Sequence, residues 1–212
     1  MAEAPRDSRD PARKRQRAET PDSPPSARES EAVGPKSAAP ANVVFLSLLH
    51  GLLDRGVGEL TLNIAHQVNA TGYKPGGLAA ALVEMYPYAN VWKGRKERGT
   101  EEHLLGTVRI DPGPDPEKPA VFSLYGQLHG GKPKEPDDSS AHRAALFASA
   151  LADLQAKAPD LDSIAFPEHI GCAIGGGDWH EYKAMIHDFA AAMPNCAVYI
   201  VRCENRCEKR HK

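Results

Sequence analysis

An α/β fold, a mixed sheet with covering helices, is what this sequence predicts, and two observations predict it. From residue 42 onward, short apolar runs of strand length alternate with longer amphipathic runs of helical period. Glycine-rich turns stand between several of those strands and the helices that follow them. Residues 1–41 differ: Pro5, Pro11, Pro21, Pro24, Pro25, Pro35 and Pro40 lie among Ser, Glu, Arg and Ala without an aromatic side chain. Such a stretch buries too little apolar area to offset its ordering entropy. We therefore expect a disordered tail over 1–41, one domain over 42–204 and a basic C-terminal tail over 205–212.

The elements follow in order. Apolar runs predict strands over 43–49 and 61–68, the second ending in polar His66, Gln67 and Asn69. Residues 76–86, GGLAAALVEMY, are Ala/Leu-rich and stop before Pro87, as a helix should. Strands over 106–110 and 120–128 flank a Pro/Gly-rich surface insert at 111–119, and a second insert occupies 130–138. Over 140–157, Leu146, Ala150, Leu151 and Leu154 recur at helical spacing. A strand at 163–167, a helix at 179–193 and a strand at 197–203 complete the chain. In that last helix Tyr182, Met185, Ile186 and Phe189 form a core stripe, and Trp179 anchors its first turn.

Bulk properties exclude several classes. The net charge is −2, from 26 basic and 28 acidic side chains, so no global field argues for nucleic acid or an acidic membrane. The longest strongly apolar stretch, 43–53, falls short of the roughly 20 residues of a membrane span, and no secretory h-region opens the chain. A cytoplasmic or nuclear protein is expected. Residues 12–17, ARKRQR, read either as a nuclear-import or polyanion patch or as a solvated charge run. Cys172, Cys196, Cys203 and Cys207 are too few for a disulfide scaffold and read as free thiols. Cys203, Cys207 and His211 lack a second ligand pair of standard zinc spacing, so no metal is expected.

Two turns carry the chemistry. In SIAFPEHIGCAIGGGDWHEY a strand passes through a loop of small residues into a helix whose N-cap is Asp178. Gly171, Cys172, Ala173 and Ile174 open that loop, and Gly175, Gly176 and Gly177 close it. Free amides there suit a phosphate or diphosphate, because glycine lets a ligand approach the main chain and the helix adds its positive dipole end. The alternative is a flexible connection with Asp178 only a cap. The second turn, IAHQVNATGYKPGGLAAAL, leaves a strand at Asn69 and enters a helix at Gly76 and Gly77. Two such turns at the carboxyl edge of one sheet would wall a crevice.

With AHQVNATGYKPGGLA, YPYANVWKGR, GTVRI, AVFSLYGQL and FPEHIGCAIGGGDWHEYKAMI in the right order, residues 50–202 resemble the macrodomain superfamily. Within it, they resemble the macro-like branch of ADP-ribose 1''-phosphate phosphatases and terminal ADP-ribose protein glycohydrolases. The resemblance implies a three-layer αβα fold, Asn69 beside the distal ribose, Gly76 and Gly77 toward the phosphates, and Gly171 to Gly177 around the diphosphate. It makes ADP-ribose or a derivative the expected ligand and an ADP-ribosylated protein a further partner, with no cofactor, membrane or nucleic acid.

Asp178 is then placed to orient or deprotonate an attacking water. His66 reads either as an acid, base or ribose contact, or as a buried histidine bonded to a backbone carbonyl. Gln127 either reaches the pocket from the neighbouring strand or is a polar strand end in water.

This chain departs from the family pattern in three places. Where the family carries a Gly-Asp pair reading adenine, the chain has Gly51 and Leu52, with Asp54 nearby. Where the glycohydrolase branch uses a lysine and an acid, it has Gln127 and Gly175, which closes a route through a covalent ribosyl adduct on an amine. A basic insert with Lys93, Arg95, Lys96 and Arg98 reads as a surface for a phosphorylated or nucleic-acid partner, or as a solvated loop. Hydrolysis of ADP-ribose 1''-phosphate is the expected reaction, with a non-catalytic ADP-ribose reader or an ADP-ribosyl-protein hydrolase as alternatives.

Overall fold

The computed structural model describes residues 42–48 and 62–203. The expected tails, the basic run at 12–17, the Leu52 and Asp54 positions, and Cys207 with His211 lie outside the described residues.

Six strands form one sheet: β1 (Val43–Leu48), β2 (Ile64–Asn69), β3 (Val108–Asp111), β4 (Val121–Gln127), β5 (Ser163–Pro167) and β6 (Ala197–Cys203). Their spatial order is β1-β6-β5-β2-β4-β3. All neighbours pair in parallel except β3, which runs antiparallel to β4 and makes the sheet mixed. The helices are α1 (Leu78–Met85), α2 (Arg95–Arg98), α3 (Ser140–Lys157) and α4 (Trp179–Ala192). Among the described residues, no helix is long and apolar enough to cross a membrane.

Alternation along the strands decides which helix each face receives. Phe122 and Leu124 of β4, Ile164 and Phe166 of β5, and Val198 and Ile200 of β6 meet Phe147 and Leu154 of α3 and Ile186 and Phe189 of α4. Residues of the opposite parity, Ile64, Val121, Ala165 and Val201, meet Leu82 and Tyr86 at α1. Three layers result, helix on sheet on helix. Each buried Phe, Leu or Ile contributes about 1.5–3 kcal/mol of transfer free energy.

The boundaries of β5, β6 and α3 match the sequence reading, those of β4 and α4 lie within one residue of it, α1 begins two residues later at Leu78, and three further segments differ for stated reasons. β2 begins at Ile64 because Asn63 is turned aside, donating to Ser163 O (3.0 Å) and accepting from Ala120 N–H (3.1 Å). β3 starts at Val108, after Gly106 takes a φ of 73°. The basic insert is not a plain loop: it folds into 3-10 turns at Pro87–Ala89 and Glu102–Leu104 around α2.

The sheet opens where the site lies. β2 and β4 stay in register from Ile64 to Val68 and shift at Asn69, whereas β2 and β5 share the single pair Ile64↔Ala165, at the amino end of β2 and the middle of β5. Beyond it, β2 delivers its chain to α1 on one face and β5 delivers its chain to α4 on the other. That is the switch point of an open α/β sheet, and a crevice forms at the strands' carboxyl ends.

Candidate functional site

Three loops meet at this crevice. The first, 70–77, follows β2; the second, 171–177, follows β5; a third, 128–138, follows β4. A Cβ placed on Gly77 would lie 3.7 Å from Ile174 Cδ1, so the first and second loops face each other across the gap. On Gly176 it would lie 2.7 Å from Pro133, which brings the third loop against the second.

The glycine loop carries few side chains with which to hold itself, and a buried guanidinium does so instead. Arg143 of α3 is fully buried and donates to Gly175 O (2.9 Å), Gly131 O (2.7 Å), His129 O (3.1 Å) and Lys132 O (3.3 Å). Its charge is met by Asp138, also fully buried, through Nε at 2.8 Å and through a short Nη2 contact. Asp138 further accepts the amides of Leu128 and His129 at 3.1 Å each. Burial alone would raise the Asp138 carboxyl, but the Arg143 hydrogen bond and these two amides outweigh it and hold it below the ordinary range.

The direction of this grip matters. In a trans peptide the carbonyl and the next amide point opposite ways, so pulling Gly175 O onto Arg143 turns the Gly176 N–H away from the guanidinium. Among the described residues, the amides of Ala173, Ile174, Gly175 and Gly176 donate to no protein acceptor. The loop is closed at its base by Gly177 N–H on Gly171 O (3.1 Å).

A second buried pair holds the first loop. Arg95 donates to Asn69 O (2.9 Å) and Gly72 O (2.7 Å), and pairs with Glu101. Glu101 also accepts Tyr125 Oη–H (2.8 Å) and an Arg98 Nη2–H (3.0 Å). Burial pushes Glu101 up; the Tyr125 and Arg98 hydrogen bonds and the Arg95 charge outweigh it and keep it ionised below the ordinary range. The reading of Arg95 as part of a partner-facing surface is therefore corrected: it is fully buried and serves the loop. The insert at 130–138 is largely exposed, as a surface loop should be, but its last residue, Asp138, is fully buried.

Asn69 ends β2 at a register shift, and its Oδ1 accepts Gly72 N–H (2.6 Å). Gly76 is exposed with nothing within 4 Å of its Cβ position, and Gly77 is the N-cap of α1 at φ 56° without a side-chain cap. By contrast α3 is capped by Ser139 and α4 by Asp178. Gln127 lies inside the site: its Oε1 accepts Gln67 Nε2–H (3.1 Å) and stands 3.2 Å from the Cβ position of Gly175. Cys172 donates to Ile170 O (3.1 Å), and burial with the nearby Asp178 and Glu181 pushes its thiol up to about 11, so it is a neutral thiol rather than a nucleophile.

Asp178 is exposed, and one of its oxygens, Oδ1, accepts both His180 N–H (2.7 Å) and Glu181 N–H (3.3 Å). His66 is not brought to the crevice. It is 2% exposed, its Nε2 lies 2.9 Å from Ser123 Oγ, and burial lowers its pKa to about 4, so it is a neutral core histidine. Its partner is a hydroxyl and not a backbone carbonyl.

Sequence reasoning missed Glu101, Asp138 and Arg143 and misassigned Arg95, because charged residue types read as solvent-facing until a partner buries them. Thr71 and His129 were also missed. The described groove of about 370 Å³ between the ends of α3 and α4, lined by Gln155, Pro159, Met193 and Cys196, lies at the opposite edge of the sheet.

No family model and no curated protein matches the chain. Solved structures do. A protein of unknown function from Bacteroides thetaiotaomicron superposes with a TM-score of 0.57 at 20% identity, over 76% of this chain and 98% of that one. The macrodomain of Thermus aquaticus DarG gives 0.55 at 21%, over 74% and 97%. The macrodomain of Mycobacterium tuberculosis DarG gives 0.53 at 20%, over 74% and 97%. This is a three-layer α/β protein with its crevice at the sheet's switch point. Its fold is that of the macrodomains.

Proposed function

We propose that the crevice binds ADP-ribose or a close derivative and that the protein hydrolyses the phosphate of ADP-ribose 1''-phosphate. One observation carries the reading: the unengaged amides from Ala173 to Gly176 stand opposite a helix N-terminus that no side chain caps. A diphosphate is the ligand that such a pair of walls suits, since it offers anionic oxygens to both. The macrodomain fold adds to it.

In this reading Gly171 to Gly177 hold the diphosphate, with Gly76 and Gly77 on the facing wall. Asn69, whose Oδ1 is fixed by Gly72, presents its amide to the distal ribose. Gln127 braces the glycine loop from the floor. Asp178 keeps Oδ2 for a water, because Oδ1 takes both capping amides. His66 takes no part. No metal or redox group is invoked, and the expected compartment is the cytoplasm or nucleus.

A non-catalytic reader of ADP-ribosylated protein is the second reading, favoured by Gln127 and Gly175 standing where the glycohydrolase branch has a lysine and an acid. Calorimetry with ADP-ribose, followed by phosphate release from ADP-ribose 1''-phosphate, separates the two. Binding with turnover that falls in Asp178→Ala supports the phosphatase; binding without turnover supports the reader. Absence of ADP-ribose binding sinks both.

A further inference from the structure

His129 enters the crevice by a route the sequence did not reveal. Its main chain is fixed on both sides, the amide on Asp138 (3.1 Å) and the carbonyl on Arg143 (3.1 Å). Its ring is fixed as well: Nδ1 lies 2.8 Å from Thr71 Oγ1, and Thr71 donates its one hydroxyl proton to Leu128 O at 2.8 Å. With that proton committed, Thr71 is an acceptor toward the ring, so Nδ1 carries a hydrogen and Nε2 is the nitrogen left for proton exchange. A half-buried side chain, oriented through a second group that is itself oriented, is the arrangement of an acid–base residue.

Its place is the distal end of the site. Thr71 is two residues beyond Asn69, and a Cβ on the neighbouring Gly130 would lie 3.4 Å from Asn69 Nδ2. Of the other candidates, Asp178 is assigned the attacking water, Cys172 is a neutral thiol, and His66 is in the core.

We propose that His129 is the catalytic acid of this site, acting as the imidazolium: Nδ1–H stays on Thr71 and the Nε2 proton goes to the ribose oxygen that leaves phosphorus. The proposal rests on the ADP-ribose 1''-phosphate reading. Water held by Asp178 attacks phosphorus, a P–O bond forms to it, and the bond from phosphorus to O1'' breaks with its electron pair on O1''. O1'' takes the Nε2 proton, and the proton released by the attacking water restores Nε2 through solvent. The products are ADP-ribose and phosphate, with no other reactant.

The test compares wild type, His129→Ala and His129→Asn for ADP-ribose affinity by calorimetry and for phosphate release. We expect unchanged affinity and unchanged thermal unfolding, with kcat lower by about 100-fold or more in both variants. Added imidazole should restore turnover in His129→Ala, which a structural role would not allow. Thr71→Val should lose less, as a positioning residue. If wild type binds and turns over but the His129 variants do so equally, the proton role is overturned and the ADP-ribose reading stands. If wild type binds without turnover, the proton role also falls; if it does not bind at all, the underlying reading falls with it.

Discussion

Loop 70–77 hangs from Arg95 and loop 171–177 from Arg143, two fully buried guanidinium groups that each draw backbone carbonyls inward. They differ in what stands behind the charge. Glu101, behind Arg95, has Tyr125 and the half-exposed Arg98 as further donors. Asp138, behind Arg143, has only the amides of Leu128 and His129 as further donors among the described residues. The first grip is redundant; the second is a single point that joins the third loop to the glycine loop. A loop nearly without side chains is held from outside by a buried clamp, to which Ser140 Oγ adds a longer bond on Gly176 O (3.4 Å), and the clamp also sets which way the Gly176 amide faces.

Removing the arginines should break this symmetry most visibly. In Arg143→Met the Asp138 carboxylate is left buried with two amide donors, which costs about 3–5 kcal/mol. In Arg95→Met, Glu101 keeps Arg98 and Tyr125, so the loss should be about 1–3 kcal/mol. Urea unfolding measures both. An Arg95→Met loss equal to or above that of Arg143→Met would show that the redundancy has no energetic meaning.

Acid should act on the two sides at different pH. His66 on β2 titrates near 6.5 when unfolded and at about 4 when folded. Between those values the unfolded chain binds a proton that the folded chain refuses, so stability falls with falling pH across that window. The contribution is about 3 kcal/mol, complete above pH 6.5 and gone below 4. His187, also held low by burial and by Lys183, adds in the same direction. The clamps respond later, since Glu101 and Asp138 are depressed and lose their contribution only as pH drops through and below the ordinary carboxylate range. His66→Asn should flatten the upper window and leave the lower one. Chemical unfolding at a series of pH values decides it, and an unchanged slope between 6.5 and 4 in the variant would disprove the assignment.

How much of this was legible follows from what each residue does. Apolar period alone located β5, β6 and α3, because those elements meet the core along their whole length. It missed α2, which is RKER between Gly94 and Gly99 and has no apolar stripe to read. The loops were legible through their glycines, and Asn69 and Asp178 through their positions at a strand end and a helix start. The clamps were not. Arg143 falls within a helix whose apolar face had been read, yet its partner is five residues earlier and its carbonyl targets lie in two other loops. His66 misled because a polar strand end resembles a crevice residue until Ser123 is seen beside it.

Backbone conformation distinguishes two adjacent glycines on the first wall. Gly77 holds φ 56° and ψ −130°, a combination that a side chain resists, so Gly77→Ala should cost about 1–3 kcal/mol and weaken ADP-ribose binding with it. Gly76 has open space at its Cβ position, and Gly76→Ala should change stability by no more than about 0.5 kcal/mol. Thermal unfolding of both variants tests the pair, and equal losses would mean that the turn, rather than the N-cap conformation, sets the wall.

The smallest effect is expected where the two walls touch. Ile174 is 62% exposed while its Cδ1 leans toward Gly77, so it spans the mouth of the crevice without being held by the core. Truncating it removes little buried area, and Ile174→Ala should shift stability by no more than about 0.5 kcal/mol. Its consequence should appear in binding instead. A bound diphosphate would lie beneath this side chain, so shortening it should speed ligand release and weaken ADP-ribose affinity by less than about tenfold, equivalent to about 1.4 kcal/mol. Stopped-flow dissociation measures that directly. Faster release with an unchanged association rate would identify Ile174 as a cover over a formed site; faster association as well would mean that the walls must part first, and that their contact in the free protein is a closed state.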